Sequence, residues 1–139
     1  PESDWNICAG TLPVYYLFPN IIFMPTQEGA FLVQEYPLEN SPHKSVSKIS
    51  FYFYPHVLEH VKQLEKQGIN GKELLQQQYN GFASVIRDED YVAAASSHKG
   101  LKSGNIDYLT FGKNEPALHH YHNTYREALG LQSLPLEKA

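Results

Sequence analysis

The sequence predicts an α+β domain in which an antiparallel sheet comes first along the chain and helices follow it. Two observations lead to this fold class. Aromatic and β-branched residues are concentrated before Pro55, in short runs separated by prolines and other turn residues. After Pro55 the apolar residues recur at helical spacing instead. A block of strands followed by a block of helices is typical of an α+β fold with helices on one face of a curved antiparallel sheet.

Four strands are predicted, joined by short turns and one loop. They cover residues 14–18, 21–24, 30–36 and 44–54, with a hairpin turn at 25–29 and a loop at 37–43. In the longest strand one face carries Ser47, Ile49, Phe51 and Phe53, because side chains alternate between the two faces of a sheet. Consecutive strands on short connections indicate an antiparallel meander.

Four helical segments are predicted after the strands. The first ends at Gly68, the second covers residues 71–79, the third covers residues 84–97, and a loop fills residues 99–114. The last helix is the most clearly marked, with Asn114 as its N-cap and Gly130 just after its end. Its predicted buried stripe consists of Leu118, Tyr121, His122, Tyr125 and Leu129. The helices therefore occupy the second half of the chain.

Composition limits the classes of function. At 139 residues the chain has the length of one domain, and its 42% hydrophobic content indicates a folded core. The net charge is −4 and the basic residues form no run, so neither nucleic acid nor an anionic membrane is expected as a partner. The longest apolar stretches are too short to span a bilayer, and a cytoplasmic location is expected.

The single cysteine and the N-terminal residue each carry one expectation. Cys8 has no second cysteine with which to form a disulfide, a Cys-based zinc site or an iron–sulfur cluster, and its surroundings do not indicate a nucleophile. The chain begins at Pro1, without Met and without a signal-peptide pattern. We expect either a processed N-terminus or a fragment of a longer protein.

The acidic triplet Asp88-Glu89-Asp90 allows two interpretations. Acidic residues are favourable at the start of a helix, and Asp88 would then be the N-cap of the third helical segment. Alternatively one carboxylate points inward and binds a metal, because Asp90 shares a helical face with apolar residues such as Ile86 and Ala93. The segment is apolar on nearly every side, so periodicity does not separate the two interpretations.

The histidines allow a metal site without requiring one. His119 and His122 are spaced i, i+3 and can reach one ion, whereas the neighbours His119 and His120 cannot. His122 also belongs to the apolar stripe of the last helix, which favours packing over metal binding. His56 and His60 have the i, i+4 spacing of a zinc pair but lack an H-E-x-x-H motif, and we expect them to be solvated.

Three segments in order resemble one known family. Residues 16–24, the pair Glu89-Asp90 followed by residues 98–103, and residues 115–125 resemble the C-terminal part of the catalytic domain of Rieske-type aromatic-ring-hydroxylating oxygenase alpha subunits. The resemblance extends over residues 12–129. It implies a helix-grip (START-like) fold and dioxygen-dependent hydroxylation of an aromatic or other apolar small molecule. The third segment includes the histidines at positions 119, 120 and 122, whose role the resemblance leaves open.

The resemblance also implies an iron site and partners. In this family a mononuclear non-haem Fe(II) is held by two histidines and one carboxylate, and Asp90 matches the carboxylate. Electrons come from a Rieske [2Fe–2S] cluster in an N-terminal domain, usually across a subunit boundary of a homo-oligomer, with a reductase or ferredoxin as partner of the full-length form. The aromatic strands would form a hydrophobic substrate pocket, with candidate lining residues Phe18, Phe23, Phe51, Phe53 and Ile86.

The sequence departs from the family pattern at several places. The two-histidine motif expected upstream of the strands and the Rieske motif are both missing from these residues. His98 stands where the family usually has Gln, and Ala95 where Glu is common. We therefore expect residues 1–139 to be a single, partial catalytic domain with an incomplete iron ligand set and no activity alone. Two alternatives are a non-catalytic helix-grip domain that binds a hydrophobic small molecule, and a domain that self-associates through an exposed face.

Overall fold

The structure is a computed structural model that describes residues 10–135. Its internal contacts divide the chain into two compact units, Pro1–Ala94 and Ala95–Ala139. The first unit contains the four strands, the first two helices and the acidic triplet. The second contains most of the third helix and all of the fourth. Cys8 lies outside the described residues.

The sheet of the first unit is a four-stranded antiparallel meander in the order β1-β2-β3-β4. The strands are β1 Tyr15–Leu17, β2 Ile21–Pro25, β3 Gly29–Pro37 and β4 Ser45–Phe53. The turn between β2 and β3 closes with the Thr26 amide donating to the Gly29 carbonyl at 2.9 Å. The prediction of an α+β fold built on consecutive antiparallel strands is confirmed.

The register of the strands places the core on one face of the sheet. Phe31 of β3 pairs with Met24 of β2 and with Phe51 of β4, and Val33 pairs with Ile49. Met24, Phe31 and Val33 are 7%, 5% and 3% exposed and form the buried cluster of this unit. Since paired residues share a face, the predicted grouping of Ser47, Ile49, Phe51 and Phe53 on one face of the last strand is confirmed.

Helix α1, Pro55–Lys66, follows β4 directly. Pro55 suits the first helical position, because the missing amide hydrogen would have had no partner there. Gly68 has φ of 81° and ends the segment, as predicted. Helix α2, Gly71–Val85, then begins at Asn70, whose side chain accepts a hydrogen bond from the Glu73 amide at 3.2 Å.

Helix α2 packs on the core face of the sheet. Its contact residues Tyr79, Phe82 and the following Ile86 lie on one side of a helix and pack against the buried cluster. The rings of Phe82 and Phe31 stack with centroids 3.7 Å apart, and Phe31 stacks in turn on Phe51 at 4.1 Å. These aromatic contacts fix α2 over the centre of the sheet.

The helix continues well beyond its predicted end. Helix α2 passes into a π-helical segment, Ile86–Asp90, and then into α3, Tyr91–Lys102, without a break. The interpretation in which Asp88 caps a new helix is therefore wrong, as is the loop predicted at 99–102. No proline interrupts residues 71–102, and a glycine inside a helix costs only about 1 kcal/mol, so the stop signals in this segment are too weak to end the helix.

Helix α4, Pro116–Ala128, lies in the second unit. Its N-cap is Glu115 and not Asn114, because the Glu115 carbonyl accepts the first helical hydrogen bonds, from the amides of Leu118 and His119 at 3.1 and 3.4 Å. The Glu115 carboxylate makes no bond to the helix and instead accepts the Gly112 amide at 2.6 Å in the preceding turn. Gly130, with φ of 68°, follows its end as predicted. Of the predicted stripe, Tyr121, His122 and Tyr125 are half-buried. Leu118 and Leu129 are 41% and 70% exposed, so their predicted burial is wrong.

Candidate functional site

The acidic triplet lies on the π-helical segment, where the amide of Tyr91 donates to the carbonyl of Ile86 five residues earlier. One member of the triplet is already paired. The Asp88 carboxylate accepts two hydrogen bonds from the Arg87 guanidinium, at 2.7 and 2.8 Å, and these hydrogen bonds lower the pKa of Asp88. Both Asp88 oxygens are therefore engaged by Arg87, and metal binding by Asp88 would have to compete with this exposed pair.

Asp90 ends the π-helical segment with an exposed side chain. Within residues 10–135, neither Asp90 nor Glu89 forms a hydrogen bond or an ion pair through its carboxylate. Short π-helical insertions inside α-helices occur frequently at functional sites, because the extra residue turns side chains out of the regular helical phase. Asp90 is therefore a carboxylate at a helix irregularity that remains open to a ligand.

Tyr91, the residue after Asp90, is held against the sheet. Its hydroxyl donates to the Glu35 carboxylate of β3 at 3.4 Å, and Ser47 of β4 donates to both oxygens of the same carboxylate at 2.6 and 2.7 Å. Burial raises the pKa of the Tyr91 phenol, and the negative charges of Glu35 and Asp90 raise it further, while Ser47 opposes the shift. This contact fixes one end of the π-helical segment.

Glu35 was not among the residues predicted to form a site. The alternation of side chains along β3 could have indicated it. Glu35 follows Phe31 and Val33 at every second position and therefore shares their inward-facing side of the strand. A carboxylate at such a position requires a partner when it is removed from water. Ser47, directly across the ladder from Glu35, supplies that partner.

An open groove of about 470 Å³ lies between β4 and α2 in the first unit. Its walls mix apolar and polar surface, with polar groups from Ser50 on the strand and from Lys72, Gln76 and Tyr79 on the helix. The Tyr79 hydroxyl donates to the Ile49 carbonyl at 3.1 Å, and the Lys72 ammonium lies 3.7 Å from Glu65. The full set of lining residues is Ile49, Ser50, Phe51, Phe53, Lys72, Leu75, Gln76 and Tyr79.

The structure separates the five residues predicted to line a substrate pocket. Phe51 and Phe53 line the groove, and Ile86 packs against the buried cluster on the same face of the sheet. Phe23 alternates with Met24 and lies on the opposite face, where its ring is near Tyr15. Phe18, 48% exposed, lies in the turn after β1. The described residues do not form one pocket from these five side chains, and their role stays a prediction.

The groove and Asp90 are also distant from each other. Tyr79 is the groove residue nearest to Asp90 along the helix, and the two are separated by about 16 Å at the usual helical rise of about 1.5 Å per residue. A small molecule within the groove would therefore lie well outside the coordination distance of a metal bound to Asp90. The two features are separate on the surface of the first unit.

The histidines do not complete a metal site with Asp90 among the described residues. Phe111 stacks on His122, with centroids 4.9 Å apart, and meets the ring of His119 edge to face, so both histidines pack against an aromatic ring. His120 is exposed and His98 is half-buried on α3. Within residues 10–135 no three His, Cys, Asp or Glu side chains are arranged to hold a metal ion. These residues therefore do not fit a complete two-histidine, one-carboxylate iron site.

The first unit is thus an antiparallel sheet covered by a helix that carries an open carboxylate at a π-helical segment. The profile of the ring hydroxylating alpha subunit (catalytic domain) family matches residues 1–131 of this chain. The chain belongs to this family, whose members are non-haem iron oxygenase domains. Comparison with curated proteins gives no match, and comparison with solved structures gives none either.

Among the helices of the described residues, none combines the length and the apolar character required to cross a lipid bilayer.

Proposed function

We propose that residues 1–139 form the C-terminal portion of the catalytic domain of a ring-hydroxylating oxygenase alpha subunit with a helix-grip fold. The reaction class is hydroxylation of an aromatic or other apolar small molecule by dioxygen at a non-haem Fe(II). The observation that supports this best is the family match over residues 1–131. The proposal includes a homo-oligomeric, cytoplasmic full-length enzyme that receives electrons from a Rieske cluster and a reductase or ferredoxin.

Asp90 is the carboxylate ligand in this proposal. Its side chain is exposed at the π-helical segment, and the Tyr91 contact to Glu35 fixes the backbone next to it. Asp88 is the less suitable neighbour, because Arg87 already neutralises its carboxylate. Iron, when bound by a complete ligand set, supplies the dioxygen chemistry. The described residues do not provide that set, so we propose that this chain has no oxygenase activity alone.

Anaerobic equilibrium dialysis against Fe(II) tests the assignment of Asp90. We expect weak iron binding by the wild-type chain, because one carboxylate with water ligands holds Fe(II) poorly, and a loss of this binding in Asp90→Ala. Asp88→Ala is the matched control, since it removes a carboxylate from the same helical segment and should leave iron binding unchanged. Tight, stoichiometric iron that survives Asp90→Ala would show that the ligands lie elsewhere.

A second candidate function is the binding of a hydrophobic small molecule without chemistry. It is favoured by the groove between β4 and α2, whose volume of about 470 Å³ is within the usual range for small-molecule sites. A panel of aromatic and lipid ligands in a thermal-shift assay tests it, because a bound ligand stabilises the folded state by mass action. Thermal midpoints that none of these ligands raises would contradict this function.

A further inference from the structure

The extra residue of the π-helical segment decides which side chain follows Ile86 on the side of the helix that meets the sheet. Phe82 and Ile86 both pack on the sheet and are four residues apart, as on a regular α-helix. One further regular turn would bring Asp90 to the position above Ile86. In the structure the Tyr91 amide donates to the Ile86 carbonyl five residues earlier, so Tyr91 takes this position instead.

The position beyond Ile86 lies beside the Glu35 carboxylate of β3. The Tyr91 hydroxyl donates to Glu35 at 3.4 Å, and Ser47, which pairs with Glu35 across the ladder, donates to the same carboxylate at 2.6 and 2.7 Å. Glu35 is half-buried. A carboxylate in such a place is stabilised by hydrogen-bond donors and destabilised by a second negative charge. Glu35 therefore accepts Tyr91 at this position and would repel Asp90.

The basic residues closest in sequence to Asp90 and Ser47 do not offset this repulsion. The Arg87 guanidinium donates to both oxygens of Asp88, at 2.7 and 2.8 Å. Lys48 follows Ser47 directly on β4, so its side chain lies on the opposite face of the sheet. Two carboxylates brought together beside Ser47 would therefore lack a positive charge from either residue.

We propose that Glu35 is a positioning residue that selects the π-helical register and thereby keeps the Asp90 carboxylate exposed. A π-helical turn is rarer than an α-helical one, and such local irregularities persist where surrounding contacts determine them. Here the hydrogen bond from Tyr91 and the avoided repulsion between two carboxylates are those contacts. The consequence for iron rests on the ligand role proposed for Asp90, whereas the choice of register does not.

The alternative register would have a defined structure. Removing one residue from the π-helical segment's turn rotates the following residues by about 100° around the helix axis, which is the angle between neighbours on an α-helix. Asp90 would then turn toward the sheet and Tyr91 away from it. The Tyr91 amide would donate to the Arg87 carbonyl, four residues earlier, and no longer to the Ile86 carbonyl.

Charge reversal at Glu35 in the full chain tests this role. Glu35→Lys removes the acceptor of the Tyr91 hydroxyl and attracts Asp90, so the α-helical register should replace the π-helical one. Scalar coupling across the hydrogen bond of the Tyr91 amide, detected by long-range NMR correlation, reports the register directly. The coupling should reach the Ile86 carbonyl in the wild type and the Arg87 carbonyl in the variant.

Asp90→Lys is the second variant, because it changes an exposed position and keeps the test available if Glu35→Lys does not fold. The introduced ammonium should be drawn to Glu35, and the coupling should again move to the Arg87 carbonyl. Glu39→Lys and Asp107→Lys are the matched controls, since they make the same charge changes at exposed positions outside this contact. Both controls should retain the coupling to the Ile86 carbonyl.

Fe(II) binding separates the choice of register from the ligand role of Asp90. Glu35→Lys retains Asp90 but pairs it with a lysine, so anaerobic dialysis should show a loss of the weak binding expected of the wild type. A coupling that stays on the Ile86 carbonyl in both variants, or that disappears without a new partner, would overturn the role of Glu35. A coupling that moves to the Arg87 carbonyl while Fe(II) binding is retained supports the role of Glu35 and contradicts Asp90 as the ligand.

Discussion

At the scale of single residues, the Glu35 carboxylate joins the sheet to the π-helical segment. Ser47 donates to both of its oxygens and Tyr91 to one of them. Glu35 is half-buried on the face that carries the core, so loss of a donor leaves a partly desolvated charge. The contacts of this one side chain therefore affect stability and also the position of the backbone beside Asp90.

Ser47→Ala removes the stronger of the two contacts to Glu35. We expect the free energy of unfolding to fall by about 1–2 kcal/mol, the usual cost of a lost hydrogen bond to a charged group that is partly buried. Urea denaturation followed by circular dichroism measures this change. Ser45→Ala at the exposed end of the same strand is the control and should stay within about 0.5 kcal/mol of the wild type. Equal effects of both variants would contradict the importance of the Glu35 contact.

Tyr91 makes stability depend on pH in the alkaline range. Its pKa in the folded protein is raised above the ordinary 10.0, chiefly by burial, so the folded state resists losing this proton. The contribution of the protonated Tyr91 phenol to the free energy of unfolding is fully present below pH 10. It is lost as the pH rises from there through the raised pKa. We expect Tyr91→Phe to lose less stability than the wild type over this range. The control is Tyr108→Phe, which alters a ring that is 81% exposed. This variant should lose as much stability as the wild type when the pH is raised over the same range.

At the scale of elements, two glycines of α2 have opposite structural roles. A Cβ on Gly71 would lie 3.0 Å from the Val61 side chain and 3.1 Å from its carbonyl oxygen, so the start of α2 packs closely on α1. A Cβ on Gly81 would meet nothing within 4 Å. The first glycine is therefore required for helix packing, and the second only lowers the helix propensity of α2.

Alanine at each position separates these roles. Gly71→Ala should destabilise the protein by about 1 kcal/mol, because crowding against Val61 exceeds the gain in helix propensity. Gly81→Ala should stabilise it by up to about 1 kcal/mol, because alanine reduces the conformational freedom of the unfolded chain at no steric cost. Chemical denaturation of both variants measures the two values. Stabilisation by both substitutions would show that the junction of α1 and α2 tolerates expansion.

The elements also show where sequence reasoning succeeds and where it fails. The strands were predictable because prolines and turn residues bound them and because alternation placed Ile49 and Phe51 on one face. The continuous helix over residues 71–102 could not be predicted, because Asp88 is equally suited to a helix start and to an exposed helical position. Helix α2 is held on the sheet by contacts such as Phe82 on Phe31, and contacts between residues so distant in sequence leave no local signal.

At the scale of the molecule, the family match and the described side chains support different parts of the functional proposal. The match over residues 1–131 identifies the class of protein, while Asp90 at the π-helical segment gives one carboxylate that suits the family's chemistry. The resemblance points to Asp90 through its neighbours in sequence, and the role of Asp90 stays a prediction. The separation of Phe23 from Phe51 could not be predicted in this way, because it follows from strand register. The groove near Phe51 lies about 16 Å from Asp90 along the helix, so the two sites can be tested independently.

A substitution that fills the groove tests whether the first unit binds apolar molecules there. Gln76→Trp places a large ring on the helix wall of the groove, whereas Gln77→Trp adds the same ring to an exposed position of α2 outside it. With naphthalene as the probe, wild type and Gln77→Trp should gain thermal stability, by about 2.7 kcal/mol at a ligand concentration one hundred times the dissociation constant. Gln76→Trp should gain none, because the indole occupies the space of the ligand. If all three proteins respond equally, the naphthalene binds elsewhere, and the groove has no part in the apolar binding proposed for this chain.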